Sequence, residues 1–410
     1  MAKKQKEIKF GTILPLIGGM TVGNKMAAGN DPAFFLSYPG FWANDQHAAE
    51  YFKDTPYYIL DADTNSMVQE EGKPKIPKNI FKEVDFVTAV CPCSGLSMMN
   101  TSQKEGSASA RGADAIQNQW MYKSAEFVLE NVNPKVFWGE NAPGLYTNAG
   151  VGVVEKLREI GEKHGYSLSL YKTNTIFHGI PQKRERTFYF FWNSPKAPIL
   201  GTYRREHKIL SDYLTEIPEW ATSQEVFLGY NNINESPFGR YLQTQGLTFK
   251  DLSEKFNTFI NWMVAEDKIE SVREWGIKNE DKGIVKIAEH VKKKHDMGLG
   301  WWDASPHLTR DHINAVIYRQ MTCGLHPNGE RGLNIRECMH LMGLPHDFNL
   351  ATNSWNHIAQ NVPTCTARDM SLEVIRYCKG EITEFGDSFV KQSNSQLRID
   401  VGAQKSKILF

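Results

Sequence analysis

Three short segments hold the side chains best suited to chemistry. The first is Cys91-Pro92-Cys93-Ser94-Gly95-Leu96-Ser97. A thiolate is a strong nucleophile, and Cys93, set at the end of an apolar run and followed by small residues, can reach out of a crevice. The second is Gly139-Glu140-Asn141-Ala142-Pro143, where a carboxylic acid directly follows a buried run. Partial desolvation there raises the pKa and lets the acid donate a proton near neutrality. The third is His178-Gly179-Ile180-Pro181-Gln182-Lys183-Arg184-Glu185-Arg186. Residues two apart on a strand share a face, so Gln182, Arg184 and Arg186 are expected on one side, with Lys183 and Glu185 opposite. Two guanidinium groups side by side suit a carbonyl or a phosphate. Singly, each segment has an ordinary structural explanation: a buried cysteine, a helix-capping carboxylate, a solvated edge strand. Together they offer a nucleophile, a proton donor and cationic anchors.

An alternation of strands and helices in the first half would position them. Ile13-Leu14-Pro15-Leu16-Ile17 reads as a strand running into a tight turn at Gly18-Gly19. Phe86–Val90 reads as a second strand stopped by Cys91-Pro92, and Val136–Trp138 as a third, ending at Gly139-Glu140-Asn141. Helices are expected over Trp120–Val132 and Val151–His164, and a closing strand pair over Ser167–Tyr171 and Thr187–Phe191. This pattern implies an α/β protein with a doubly wound, mostly parallel sheet. Such sheets gather their chemistry at the carboxyl ends of the strands, where Cys93 and Glu140 both fall.

With 410 residues, the chain can form one large domain with a second attached. Cationic and anionic residues balance at 47 each, which counts against a histone-like or tail-driven binder but allows a local basic cleft. The six cysteines (Cys91, Cys93, Cys323, Cys338, Cys365 and Cys378) are scattered, and no export signal precedes them, so no disulfide framework is expected. Cys91-Pro92-Cys93 is too tight for a zinc knuckle, and no metal site is expected. No stretch reaches the ~20 apolar residues of a membrane span. A cytoplasmic protein with no membrane partner is the expectation. After about Asn193 the alternation gives way to prolines, aromatics and irregular spacing. Residues 1–193 are therefore expected to form a core and 194–330 a second, smaller domain that includes Trp301-Trp302 and the charged helical stretch Asp267–His295. Residues 331–385 would return to complete the core, leaving 386–410 as a loosely packed extension.

In type, order and spacing these motifs resemble those of the C5-cytosine DNA methyltransferases. The Pro-Cys, Glu-Asn and Gln-Lys-Arg-Glu-Arg elements stand in the family's order. Arg331–Pro345 resembles the family's late helix, and Gln360-Asn361-Val362-Pro363 its return to the cofactor pocket. The resemblance covers about residues 8–192 and 331–380; the region 194–330 matches only in position, where the family keeps its target-recognition domain. It implies a Rossmann-like methyltransferase core, bacterial or phage-encoded, acting on double-stranded DNA, with a cognate restriction nuclease as partner or none. By the same resemblance Cys93 would attack C6 of cytosine, Glu140 protonate N3, Arg186 hold O2, and Arg184 order that side of the pocket. Pro92, Ser94, Asn141 and Gln182 would line the substrate. The base must leave the stack for this chemistry, and Ser97–Gly112 is expected to be a mobile loop that closes over it.

The cofactor half departs from the family pattern. Thr12 stands where an Asp is expected, Leu14 where the family stacks a Phe on adenine, and Leu16 where it has its first Gly. The ribose-binding carboxylate has Asn44 as its nearest counterpart, or Asp45 if one residue is deleted. The candidate cofactor residues are thus Leu14, Gly18, Gly19, Asn44, Asp61, Asp63 and Asn361. S-adenosyl-L-methionine held through altered contacts is the first expectation. The second is 5,10-methylenetetrahydrofolate, whose methylene group would yield hydroxymethylcytosine. A tRNA substrate is a third reading, disfavoured by a long insert of the kind that reads a DNA major groove. Intact Cys93, Glu140 and Arg186 argue against an inactive binding module. The lack of Gly-x-Gly-x-x-Gly after the first strand argues against a dinucleotide enzyme.

Overall fold

The computed structural model describes residues 7–67, 79–97, 112–224, 226–227, 229–252, 256, 258–300, 305–308, 311–317, 324–352, 355–394, 398–399 and 407–408. The chain forms two compact units: Met1–Ile180, Arg184–His207 and Met342–Phe410 make the first, Pro181–Lys183 and Lys208–Leu341 the second. Residues 194–207 thus fall in the first unit and 331–341 in the second. Most of the expected mobile loop (98–111), Trp301-Trp302 and Cys323 lie outside the described residues.

The first unit runs β1 (Phe10–Ile13), α1 (Gly19–Ala28), β2 (Phe35–Ser37), α2 (Trp42–Tyr51), β3 (Tyr57–Ile59), β4 (Phe86–Val90), α3 (Ile116–Phe127), β5 (Val136–Asn141), α4 (Val151–Lys163) and β6 (Ser167–Asn174). The chain then dips into the second unit for β7 (Gln182–Lys183) and returns as β8 (Glu185–Trp192). The second unit is mainly helical: α5 (Leu210–Leu214), α6 (Pro237–Thr244), α7 (Phe249–Leu252), α8 (Phe259–Ala265), α9 (Ile269–Lys278), α10 (Lys282–Asp296) and α11 (Ile335–Leu341), with the short strands β9 (His307–Leu308), β10 (Ile313–Asn314) and β11 (Gly324–Leu325). The first unit closes with α12 (Asn356–Gln360), α13 (Thr364–Cys378) and β12 (Phe389–Ser393).

Eight strands form its sheet in the order β12-β6-β8-β5-β4-β1-β2-β3. Only β8 runs antiparallel, to both β5 and β6. The doubly wound, mostly parallel sheet read from the sequence is present. Its strands are aromatic and β-branched because both faces are covered. On β8, Tyr189 and Phe191 pack on one side with Val87, Phe137 and Leu157, while Phe188, Phe190 and Trp192 pack on the other with Phe86, Met370 and Val374. That strict alternation fixes the register of β8, and a one-residue slip would expose the whole set. The second unit has its own core, in which Phe238, Tyr241, Phe259, Trp262, Val272, Ile284 and Val291 meet.

Several readings need correction. Within 386–410, expected as a loosely packed extension, Phe389–Ser393 is β12 and pairs parallel with β6 in the main sheet. β1 spans Phe10–Ile13, and the apolar run Leu14–Ile17 is a turn, not a strand. Leu14 and Leu16 both lie in the left-handed region, at φ 53° and 49°, and Gly18 follows at 104°. An apolar pattern reports burial, which both leucines satisfy, but carries no information on the sign of φ. The expected helix at 120–132 also ends early, continuing past Phe127 as a wider π turn over Val128–Val132. The charged stretch 267–295 is two helices, α9 and α10, broken at Asn279-Glu280-Asp281, where Glu280 takes φ 56°.

Candidate active site

β4 and β5 are parallel neighbours, with Val90 beside Glu140. Cys91-Pro92-Cys93 leaves the carboxyl end of β4, so Cys93 and Glu140 emerge at the same edge of the sheet. The segment is firmly seated. Leu96 N donates to Cys93 O at 3.0 Å, and a Cβ on Gly95 would stand 2.9 Å from the Asn118 carboxamide. The two cysteines differ in setting. Cys91 is buried against Ser124 and Tyr189, its Sγ 3.8 Å from the Tyr189 hydroxyl, and burial pushes its thiol up to about 12. Cys93 is half-buried at the crevice. Burial and the Glu140 carboxylate raise its thiol, while Arg186 and Arg184 pull it down.

Glu140 is buried, and burial raises its carboxyl above the ordinary range against the opposing pull of Arg186 and Arg184. Arg186 reaches it from β8, with Nε 2.6 Å from Oε1. The two groups form a close buried ion pair, and the Arg186 charge and hydrogen bond act against burial on the Glu140 carboxyl. Asn141 turns its Oδ1 to Ala142 N at 2.8 Å and leaves its buried Nδ2 without a partner. Pro92 is half-buried and Ser94 exposed beside Cys93.

The third segment behaves differently from the simple strand expected. Gln182 and Arg184 are buried, with Lys183 exposed between them, so the alternation survives, but the chain breaks between β7 and β8 and the three residues serve three purposes. Gln182 gives its Nε2 to Leu341 O at 2.6 Å and accepts from Val316 N at 2.9 Å, inside the second unit. Arg184 donates through Nη2 to Ala359 O at 2.8 Å and Asn361 O at 3.0 Å, and burial lowers its pKa to about 9. Only Arg186 meets Glu140.

At the carboxyl ends of β1, β2 and β3 the residues are occupied with one another. Asp45, buried on α2, accepts from Leu16 N at 2.9 Å, from Tyr57 OH at 2.8 Å and from the Ser37 hydroxyl. It thereby clamps the β1–α1 turn, and burial lifts its carboxyl to about 7. Gly18 N donates to Pro15 O at 3.1 Å and Gly19 N to Asn361 Oδ1 at 2.8 Å. Asp61 folds back on Asp63 N at 3.0 Å and Thr64 N at 2.7 Å, and Asp63 is exposed. Asn44 lies on α2, seven positions beyond the end of β2. S-adenosylmethionine needs an acceptor for its ribose hydroxyls and an open face for its adenine. Leu14 is fully buried and Asp45 already accepts three hydrogen bonds, but Asn44 Oδ1 and Asn361 Nδ2 are buried without partners, an acceptor and a donor such a ligand could use. Among the described residues the usual ribose carboxylate is spent, and these two amides leave contacts for the group of another kind. Asp45, expected only as a possible ribose carboxylate, clamps the turn instead, and Tyr189, which the sequence did not single out, packs its hydroxyl on Cys91; both have partners remote in sequence.

The chain matches the family of C-5 cytosine-specific DNA methylases over residues 14–362. It is 22% identical over 325 residues to the Type II methyltransferase M.Bpa9945I of Bacillus paralicheniformis, a match covering 68% of this chain and 67% of that one. It is 26% identical over 172 residues to the Type II methyltransferase M.NgoPII of Neisseria gonorrhoeae, where the match covers 42% of this chain and 44% of the relative. Among solved structures, the Entamoeba histolytica methyltransferase EhMeth shares the fold at a TM-score of 0.52 and 13% identity, covering 93% of this chain and 100% of its own. A prophage-encoded E. coli protein described as a DNA modification methyltransferase does so at 0.53 and 16%, covering 91% and 100%. Among the described residues no helix is long and apolar enough to cross a membrane, and no group of three or more His, Cys, Asp or Glu could hold a metal ion. The family match over most of the chain makes this protein a member of the C-5 cytosine-specific DNA methylase family, a transferase of the DNA cytosine-5-methyltransferase class.

Proposed function

We propose that this chain adds a one-carbon unit, a methyl group in the first reading, to C5 of cytosine in double-stranded DNA through a covalent Cys93–C6 bond. The observation that carries the proposal is the meeting of three groups at one sheet edge: half-buried Cys93, buried Glu140 with a raised pKa, and Arg186 Nε 2.6 Å from Glu140 Oε1. Cytosine C5 is a poor nucleophile. The Cys93 thiolate adds to C6, forming the S–C6 bond, while Glu140 gives its proton to N3 and so drains electrons from the ring. The electron pair then resides at C5 as an enamine, and Arg186, next to Glu140, hydrogen-bonds O2. Once C5 has accepted the carbon, with the donor keeping the electron pair of the bond it gives up, a solvent base takes the C5 proton, the double bond returns, Cys93 leaves as thiolate and the N3 proton passes back to Glu140. The base is flipped out of the duplex to reach these groups. Arg184 supports this side of the pocket through the main chain of Ala359 and Asn361. The second, helical unit would read the target sequence.

The family's methyl donor is S-adenosylmethionine, and we keep it as the first reading with contacts unlike the usual ones. A methylene-folate donor giving hydroxymethylcytosine is the second, favoured by one observation: Asp45 is spent on Leu16, Ser37 and Tyr57. Mass spectrometry of nucleosides from DNA and tRNA treated with the protein, each donor supplied in turn, tests both. We expect 5-methylcytosine in DNA with S-adenosylmethionine. Hydroxymethylcytosine formed only with the folate would replace the first reading with the second, and modification confined to tRNA would replace the substrate. Unmodified cytosine under every condition would refute the proposal.

A further inference from the structure

Helix α10 (Lys282–Asp296) carries an unusual concentration of charge for this chain. It holds five lysines, Lys282, Lys286, Lys292, Lys293 and Lys294, against two carboxylates, Glu289 and Asp296. In the rest of the second unit, carboxylates outnumber cations. Its apolar residues Ile284, Ala288 and Val291 are buried and fix its orientation against α9. A Cβ on Gly276 of α9 would stand 2.6 Å from Ile284 Cγ2, so the two helices cross too closely for any side chain there. With Ile284 inward, the 3.6-residue repeat directs Lys282, Lys286 and Lys293 along one outward row. At about 1.5 Å per residue the row extends over roughly 16 Å. Glu289, the carboxylate on that face, is taken by Arg273, whose Nε lies 3.2 Å away. None of the five lysines has an ion-pair partner among the described residues, and four of them are exposed.

We propose that α10 docks on the phosphate backbone of duplex DNA, setting affinity without setting sequence preference. Charge complementarity commits it to a polyanion, and the family's substrate makes that polyanion DNA. The inference rests on the proposed DNA substrate but not on the cytosine chemistry. Lysine is a compact point charge on a flexible stem, suited to phosphate oxygens. The outward row has no Arg, Asn or Gln; its lysines can also reach guanine edges, a contact that would show as loss confined to one sequence. Phosphate contacts position a protein on DNA, and base contacts specify the site.

The test compares the full chain with K282Q/K286Q/K293Q, measuring fluorescence anisotropy on duplexes of about 30 base pairs over a range of salt. A control, K53Q/K82Q/K196Q, removes the same charge from exposed lysines of the first unit. We expect the α10 variant to bind random-sequence duplex tenfold or more weakly, with its log–log salt slope shallower by about 2–3, since each lost phosphate contact removes about 0.9. A duplex bearing the sequence that the wild-type chain modifies should lose affinity by the same factor. Unchanged affinity and slope would overturn the proposal, as would an equal loss in the control. Loss confined to the modified sequence would make α10 a base reader and overturn it too. The random duplex requires no turnover, so the result stands apart from the fate of the Cys93 mechanism.

Discussion

Glu140→Gln separates the acid from every other property of its site. The side chain is 3% exposed at the end of β5, and glutamine keeps its shape, so the fold and DNA affinity should hold. Glutamine cannot pass a proton to N3, and a positioned acid or base contributes typically ~10²–10⁴-fold, so kcat should fall by that factor, about 2.7–5.4 kcal/mol. The carboxylate also acts on Cys93. Burial is the main cause of the raised thiol pKa, and the Glu140 charge adds to it, against Arg186 and Arg184. At the alkaline pH where the thiol ionises, the carboxylate is already ionised, so its removal must lower the Cys93 pKa. The rate of iodoacetamide alkylation at Cys93, followed by intact mass against pH, should therefore shift to lower pH in the variant as turnover collapses. The opposite directions of the two readouts make the test sharp, because a merely structural role would not lower the thiol pKa. Turnover within a few-fold of wild type, or an alkylation profile moved to higher pH, would refute the reasoning.

Three further outcomes follow from the same geometry. Arg186→Lys keeps the charge but loses the planar fork beside Glu140, and steady-state kinetics should show kcat/KM down by ~10²-fold with the melting temperature little changed; near-normal kcat/KM would mean that the guanidinium does not touch the base. Asp45 keeps its proton to about pH 7 in the folded protein, whereas the unfolded chain releases it at about pH 4, so folded molecules bind more protons across that window. Stability should then decline as pH rises from about 4 to 7, by at most about 4 kcal/mol from this group, and Asp45→Asn should flatten the thermal unfolding curve against pH; parallel curves for the two proteins would count against the buried clamp. Calorimetry with S-adenosylhomocysteine should give binding weaker by ~10²-fold than expected of a pocket with both a ribose carboxylate and an adenine-stacking ring; tight binding would restore the ordinary donor pocket.

How much of this was legible in the sequence depended on how local each cause was. Cys93 and Glu140 could be read because Cys93 lies just past a fully buried strand stopped at Pro92, and Glu140 lies in the last two residues of another that stops before Ala142-Pro143. The sheet was legible for the same reason: Phe86–Val90 and Thr187–Phe191 admit few alternatives to buried strands. The β1–α1 turn was not. Leu14 and Leu16 look like strand residues, yet both are left-handed, and Leu16 N is held by Asp45, whose other partners lie on β2 and β3. Gln182, Arg184 and Arg186 alternate as a strand should, yet the chain changes units at Pro181–Lys183, and no local period can reveal that. The break between α9 and α10 had a signal in Asn279-Glu280-Asp281-Lys282-Gly283, where the Asp281 side chain caps Gly283 N at 3.1 Å and Ile284 N at 3.0 Å.

The central claim is that Cys93, and not its neighbour Cys91, bonds to cytosine. A duplex carrying 5-fluorocytosine in the sequence that the chain modifies tests it directly, because fluorine cannot leave C5 as a cation and the adduct cannot resolve. Incubated with the donor that supports turnover and analysed by denaturing electrophoresis and peptide mass spectrometry, the wild-type chain should form a stable covalent complex through Cys93. Cys91→Ser should form the same complex, since the Cys91 thiol is fully buried against Tyr189 and Ser124. Cys93→Ser should form none. A complex that survives Cys93→Ser, or one mapped to any other residue, would contradict the account.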